Sequence, residues 1–93
     1  MIMEGNFSVE KEINKAMEEG KLVIGKERTV KYLKNGKVKT VILASNVPKD
    51  ILIEIEHNAK ISKADVVRYE GNNKELGALC RKPFLVTVVS ILK

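Results

Sequence analysis

The segment Gly20-Lys21-Leu22-Val23-Ile24-Gly25-Lys26-Glu27-Arg28-Thr29-Val30-Lys31-Tyr32-Leu33-Lys34-Asn35-Gly36 holds a strand, a turn and a helix in close succession. Leu22 to Ile24 is too short an apolar run for a helix and stands between two glycines, so it reads as a buried strand. From Lys26 to Lys34 the apolar Val30 and Leu33 recur at helical spacing, and the polar side is almost entirely Lys and Arg. A strand therefore passes through Gly25 into a cationic helix start. Helix N-termini carry unpaired N–H groups and partial positive charge, and Gly25 has no Cβ to hold a phosphate away from that backbone. An anion is expected there, and RNA backbone is the anion the pattern favours.

On the N-terminal side, Ser8 is placed to cap a first helix, because Val9, Ile13, Ala16 and Met17 keep helical spacing and Gly20 follows as a stop. Residues 1–6 are expected to be loose. On the C-terminal side, Thr40 to Ala44 is apolar without alternation and rich in β-branched residues, as in a strand covered on both faces. Ser45, Asn46 and Val47 form a loop, and Pro48 suits the first position of a third helix that buries Ile51, Leu52, Ile55 and Ala59. Ala64 to Tyr69 reads as a third strand. Gly71 turns the chain, and Asn72 with Glu75 has capping-box spacing for a short helix, Lys74 to Cys80. Pro83 closes it. Phe84 to Leu92 then forms a last strand, with Thr87, Val89 and Ile91 on one side and Val86, Val88 and Leu92 on the other.

The order α-β-α-β-α-β-α-β predicts an α/β fold, a three-layer α/β/α sandwich around a four-stranded mixed sheet, in a single domain over residues 1–93. The direction of the last strand follows from length. Lys74 to Cys80 spans roughly 10 Å as a helix, against ~17 Å for a five-residue strand, too little for a parallel return crossover. The last strand should run antiparallel. The loops after Ile24, after Ala44 and before Phe84 would then open at one end of the sheet, where ligands of such sheets tend to bind. They supply Gly25, Lys26, Glu27, Arg28, Asn46, Lys49, Arg81, Lys82 and Phe84, and the basic face of the second helix adds Lys31. Cations, an amide and an aromatic are the set that recognises phosphates, base edges and unstacked bases of RNA loops.

Composition agrees with that reading. The net charge is +5, and between Lys21 and Lys39 seven basic residues face a single acid, Glu27, whereas Asp50, Glu54 and Glu56 give the third helix an acidic side. No apolar run is long enough to cross a membrane, and the first residues lack the pattern of a secretory signal, so a cytoplasmic protein is expected. Cys80 and His57 are single, which excludes an intrachain disulfide and a Cys/His zinc site, and no cofactor is indicated. No nucleophile and base are paired, so no enzyme is expected.

Together, the succession Gly-Lys-Leu-Val-Ile-Gly, the basic helix ending Lys-Asn-Gly, Val-Ile-Leu-Ala-Ser-Asn-Val-Pro, Glu75-Leu76-Gly77 and the final Phe-Leu-Val-Thr-Val-Val-Ser-Ile-Leu resembles the archaeal and eukaryotic large-subunit ribosomal protein L-thirty-e family. That family lies in the L-seven-Ae superfamily of kink-turn RNA-binding proteins. The resemblance implies a ribosomal protein that binds a kink-turn-like loop of ribosomal RNA, as a monomer away from the ribosome and with other large-subunit proteins as possible neighbours. It places Gly25, Lys26, Glu27, Arg28 and Lys31 at the main RNA contact, with Asn46 and the loop from Arg81 to Leu85 beside it. Glu27 and Arg28 depart from the L-seven-Ae branch, which favours the L-thirty-e branch. Arg81 and Lys63-Ala64 depart from the family pattern, where glycine is usual at the first and a Gly-Ile-Pro-like sequence at the second.

Several residues keep two readings. Lys34, Lys37 and Lys39 suit a solvated helix face or strand start. Phe84 suits the core or a base-stacking position, and Asn46 a turn or a base contact. Glu27 is favoured by the helix dipole whether or not it meets a base. Two other functions remain open: a kink-turn protein of guide-RNA particles, and a protein-interaction module docking through the acidic third helix.

Overall fold

Ser8 accepts a hydrogen bond from the Lys11 N–H and opens α1 (Val9–Glu19), the first of eight elements that alternate helix and strand through the described residues. They are followed in a computed structural model that describes residues 8–93; the expectation of a loose segment 1–6 falls outside them. After α1 come β1 (Leu22–Ile24), α2 (Lys26–Lys34), β2 (Val38–Leu43), α3 (Lys49–Ser62), β3 (Asp65–Arg68), α4 (Asn73–Leu79) and β4 (Val88–Leu92).

All four helices stop in the same way. The residue after the last turn takes a positive φ, at Gly20, Gly36, Lys63 and Arg81, and the next N–H reaches back five residues to a helical carbonyl. These bonds are Lys21 to Ala16, Lys37 to Tyr32, Ala64 to Ala59 and Lys82 to Gly77, the closing bond of a Schellman cap. Glycine adopts that backbone without strain. Lys63 and Arg81, at φ 63° and 59°, hold it against a steric cost.

The strands lie in the order β1-β4-β2-β3. β2 and β3 are parallel, and β4 is antiparallel to both β1 and β2, as the shortness of α4 requires. The sheet separates two cores. On one face Ile42, Ala44, Val89 and Ile91 meet Ile13 and Ala16 of α1 and Leu76 and Cys80 around α4. On the other Val41, Leu43 and Val88 meet Val30 and Leu33 of α2 and Ile55 and Ala59 of α3. The period-two alternation of β2 and β4 is what feeds both, giving the three-layer sandwich. Burial within the first core pushes the Cys80 thiol up to about 11.

β3 and α4 differ from expectation by one residue at each end, and three other differences have a local cause. β4 begins at Val88, not Phe84, because the Val86 N–H donates to the Asn73 carbonyl at 3.1 Å and ties this stretch to α4. Val86 consequently packs with Val89 and Ile91, on the opposite side from Val88. β2 begins at Val38, two residues early, through a bulge between Val38 and Thr40. Pro48 is the extended residue before α3 and not its first helical residue, with φ −61° and ψ 146°.

Candidate functional site

Two backbone bonds bring the separate loops to one rim. The Gly25 N–H donates to the Val88 carbonyl at 2.9 Å, and the Ala44 N–H donates to the Thr87 carbonyl at 3.0 Å. The turn after β1, the loop after β2 and the segment leading into β4 thus meet at the same end of the sheet. Between the first and the last of these, with Ile51 of α3, lies a cleft of about 460 Å³ lined by Gly25, Lys26, Arg28, Phe84 and Leu85 among others.

Gly25 makes the floor possible. Its φ of 109° and ψ of 150° belong to a region open essentially to glycine alone, while the space above its Cα is empty. No side chain caps α2, and its first intrahelical bond runs from the Thr29 N–H to the Gly25 carbonyl at 3.1 Å. The N–H groups of Lys26, Glu27 and Arg28 therefore lie beyond that ladder, at the positive end of the helix. α1 and α4 differ, since Ser8 and Asn72 cap them with their side chains.

The opposite wall is the loop after α4. Asn72 and Glu75 form the expected capping box, with Asn72 Oδ1 accepting from the Lys74 and Glu75 N–H groups at 3.0 Å and Glu75 accepting from the Asn72 N–H at 2.9 Å. At the other end of α4, the Phe84 carbonyl passes so close over Gly77 that a Cβ there would collide with it. This close crossing lifts Phe84 and Leu85 outward, 55% and 63% exposed. The core reading of Phe84 is thereby removed. Arg81 keeps the glycine-like backbone of the Schellman cap, so its side chain is presented without altering that turn, and Lys82 beside it is exposed.

Two of the expected contacts are already engaged within the protein. Lys26 Nζ lies 2.9 Å from Glu54 Oε1 on α3, and hydrogen bonding to that carboxylate, with its charge, raises the Lys26 pKa. The acidic helix side and the basic turn are therefore adjoining, not separate, regions. Asn46 pairs with Asn73, its Oδ1 accepting from the Asn73 N–H at 2.9 Å and its Nδ2 donating to Asn73 Oδ1 at 3.1 Å. The amide fixes the start of α4 and, through it, the loop carrying Phe84.

Glu27, Arg28, Lys31 and Lys49 are exposed. Arg28 lines the cleft; Lys31 lies farther along α2 and does not. Sequence reasoning missed Ile51 as part of this surface and reached Leu85 only through the family resemblance, while its own pattern read Leu85 as a strand residue. Ile51 keeps the spacing of the buried α3 stripe, which hides its half-exposed position, and Leu85 loses its strand partner to the tie between Val86 and Asn73. Among the described residues no cluster of His, Cys, Asp and Glu is arranged to hold a metal.

Residues 8–93 match the sequence pattern of the family described as ribosomal protein L7Ae/L30e/S12e/Gadd45. The chain is similar to large ribosomal subunit protein eL30 of Methanocaldococcus jannaschii, 40% identical over 94% of this chain and 79% of that protein. It is similar also to eL30 of Saccharolobus solfataricus, 40% identical over 98% of this chain and 84% of that one. Among solved structures, the Giardia lamblia 15.5kD RNA binding protein shares the fold with a TM-score of 0.82 at 21% identity, covering 91% of this chain and 71% of that one.

Proposed function

The chain belongs to the ribosomal protein L7Ae/L30e/S12e/Gadd45 family, and we propose that it is a constituent of the large ribosomal subunit that binds a kink-turn-like internal loop of ribosomal RNA. It acts by binding and not by catalysis, in the cytoplasm, as a monomer until it joins the ribosome beside other large-subunit proteins. The observation that carries this reading is the rim itself: an open cationic helix start faces an exposed aromatic across one cleft.

Each part has a task there. Arg28, Lys31, Lys49, Arg81 and Lys82 displace counterions along the phosphates, and the N–H groups beyond Gly25 meet the backbone where the strands diverge. Phe84 supports a splayed base, and Leu85 and Ile51 cover its edge. Glu27 accepts from a base edge. Lys26 serves either by leaving Glu54 for a phosphate or by holding α2 against α3, and Asn46 serves by fixing the loop that carries Phe84.

The test is Phe84→Ala, measured by binding to a kink-turn RNA and by thermal unfolding. Affinity should fall by ~1 to 3 kcal/mol, the worth of one stacked base, with the unfolding midpoint unchanged because the ring is already exposed. Normal affinity for the variant would remove the ring from the interface. Equal affinity for a plain duplex would remove the internal loop from the proposal.

A further inference from the structure

The end of the sheet opposite the cleft carries a second cationic surface. Lys21 precedes β1, Lys37 precedes β2, Lys63 stands just before β3 and Lys93 follows β4, so all four strands have a lysine beside their ends at this rim. Backbone bonds fix the neighbours: the Leu92 N–H donates to the Lys21 carbonyl and the Lys93 N–H to the Lys37 carbonyl, both at 2.9 Å. With strands about 4.8 Å apart, the row crosses roughly 15 Å.

Beneath it, Lys15, Lys21, Lys39 and Lys93, with Glu12 and Glu19, line a cleft of about 210 Å³. Lys39 is there because of the bulge. Regular alternation back from Ile42 would put Lys39 on the side of Val41, under α2 and α3. The shift between Val38 and Thr40 sends Val38 into that core instead and leaves Lys39 on the α1 side with Lys15 and Ile91. Bulges commonly re-aim a side chain in this way. None of these lysines forms an ion pair with a described carboxylate; among the described residues Lys26 with Glu54 is the one such pair.

We propose that this lysine rim is a second RNA-binding surface, which grips the phosphate backbone of a duplex segment separate from the one in the Phe84 cleft. The inference rests on the RNA-binding role proposed above. Lysines are point charges without the planar fork that reads a base, and no aromatic lines this cleft, so the contact recognises charge and not sequence. The rims stand roughly 20 Å apart, the rise of six-residue β2, so one small protein pins two RNA segments at a fixed separation.

The experiment saturates the protein with a short kink-turn RNA and titrates a labelled RNA duplex lacking any internal loop, across a range of salt. The expected result is a ternary complex whose duplex affinity falls with salt. Lys21→Gln/Lys39→Gln should lower that slope by about 1 to 2, for one or two lost phosphates, while kink-turn affinity stays within about twofold. Lys11→Gln/Lys74→Gln, with the same charge removed elsewhere, should leave the slope nearer that of the parent. Competition between the two RNAs, or equal slopes for the two double variants, would overturn the second surface. If the kink-turn RNA does not bind but duplex capture still depends on Lys21 and Lys39, the function proposed for the Phe84 cleft falls and the lysine rim stands.

Discussion

Thr29 Oγ1 donates to Ser90 Oγ at 3.0 Å, and both residues are completely buried. This joins the first turn of α2 to the middle of β4, directly beside the Gly25 contact with Val88. The position of the open helix start is thus set from inside the core. Thr29→Val keeps the shape but leaves the Ser90 hydroxyl without this partner, at a cost of ~1 to 3 kcal/mol. For a domain of this size each kcal/mol lowers the unfolding midpoint by roughly 4 to 8 °C. Thr29→Val/Ser90→Ala should recover part of the loss, and a double variant as unstable as the sum of the two singles would show that the hydroxyls are not coupled.

Glu54→Gln should strengthen RNA binding. The substitution removes the carboxylate that holds Lys26 and leaves an unneutralised ammonium at the cleft. Binding should tighten and its salt slope steepen by up to about 0.9, the signature of one added phosphate contact. Thermal stability should hardly move, because exposed ion pairs contribute little. An unchanged slope would assign Lys26 to holding α2 against α3.

Asn46 and Asn73 separate positioning from recognition. Asn46→Ala removes both bonds to Asn73, whereas Asn73→Ala removes only the side-chain bond and keeps its N–H. If Asn46 acts by positioning the loop, its loss should cost about 1 kcal/mol of stability, Asn73→Ala less, and affinity should fall in the same order. A large loss of affinity for Asn46→Ala with unchanged unfolding would instead make it a direct RNA contact.

Lys63→Gly and Arg81→Gly relieve the same backbone strain, each stabilising by about 1 kcal/mol in chemical denaturation. They should part in RNA binding. Arg81 stands beside the Phe84 loop, and its loss should lower the kink-turn salt slope by about 0.9, while Lys63→Gly leaves that slope alone. Equal kink-turn binding by both would show that Arg81 makes no phosphate contact.

Those two residues also show where the sequence stops being readable. Gly20 and Gly36 announce the ends of α1 and α2, because glycine marks positive φ. The same cap closes α3 and α4 with Lys and Arg, whose preferences give no sign of it, so those ends are set by tertiary packing. Element order, layers and the antiparallel last strand were legible, since they follow from hydrophobic period and chain length. The coming together of Gly25 and Phe84 was legible for the same reason. The partners of Lys26 and Asn46 were not. Both depend on where α3 and α4 lie relative to the rim, which periodicity within one element cannot specify.

The placement of β4 between β1 and β2 makes the groove depend on one strand. Without Val88 to Leu92 the two halves of the sheet, β1 on one side and β2 with β3 on the other, share no ladder. Gly25 then has no Val88 carbonyl to anchor it and Ser90 is missing beneath Thr29. A copy with β4 undocked therefore presents basic side chains but no assembled groove. Docking of β4 and assembly of the groove are thus a single event.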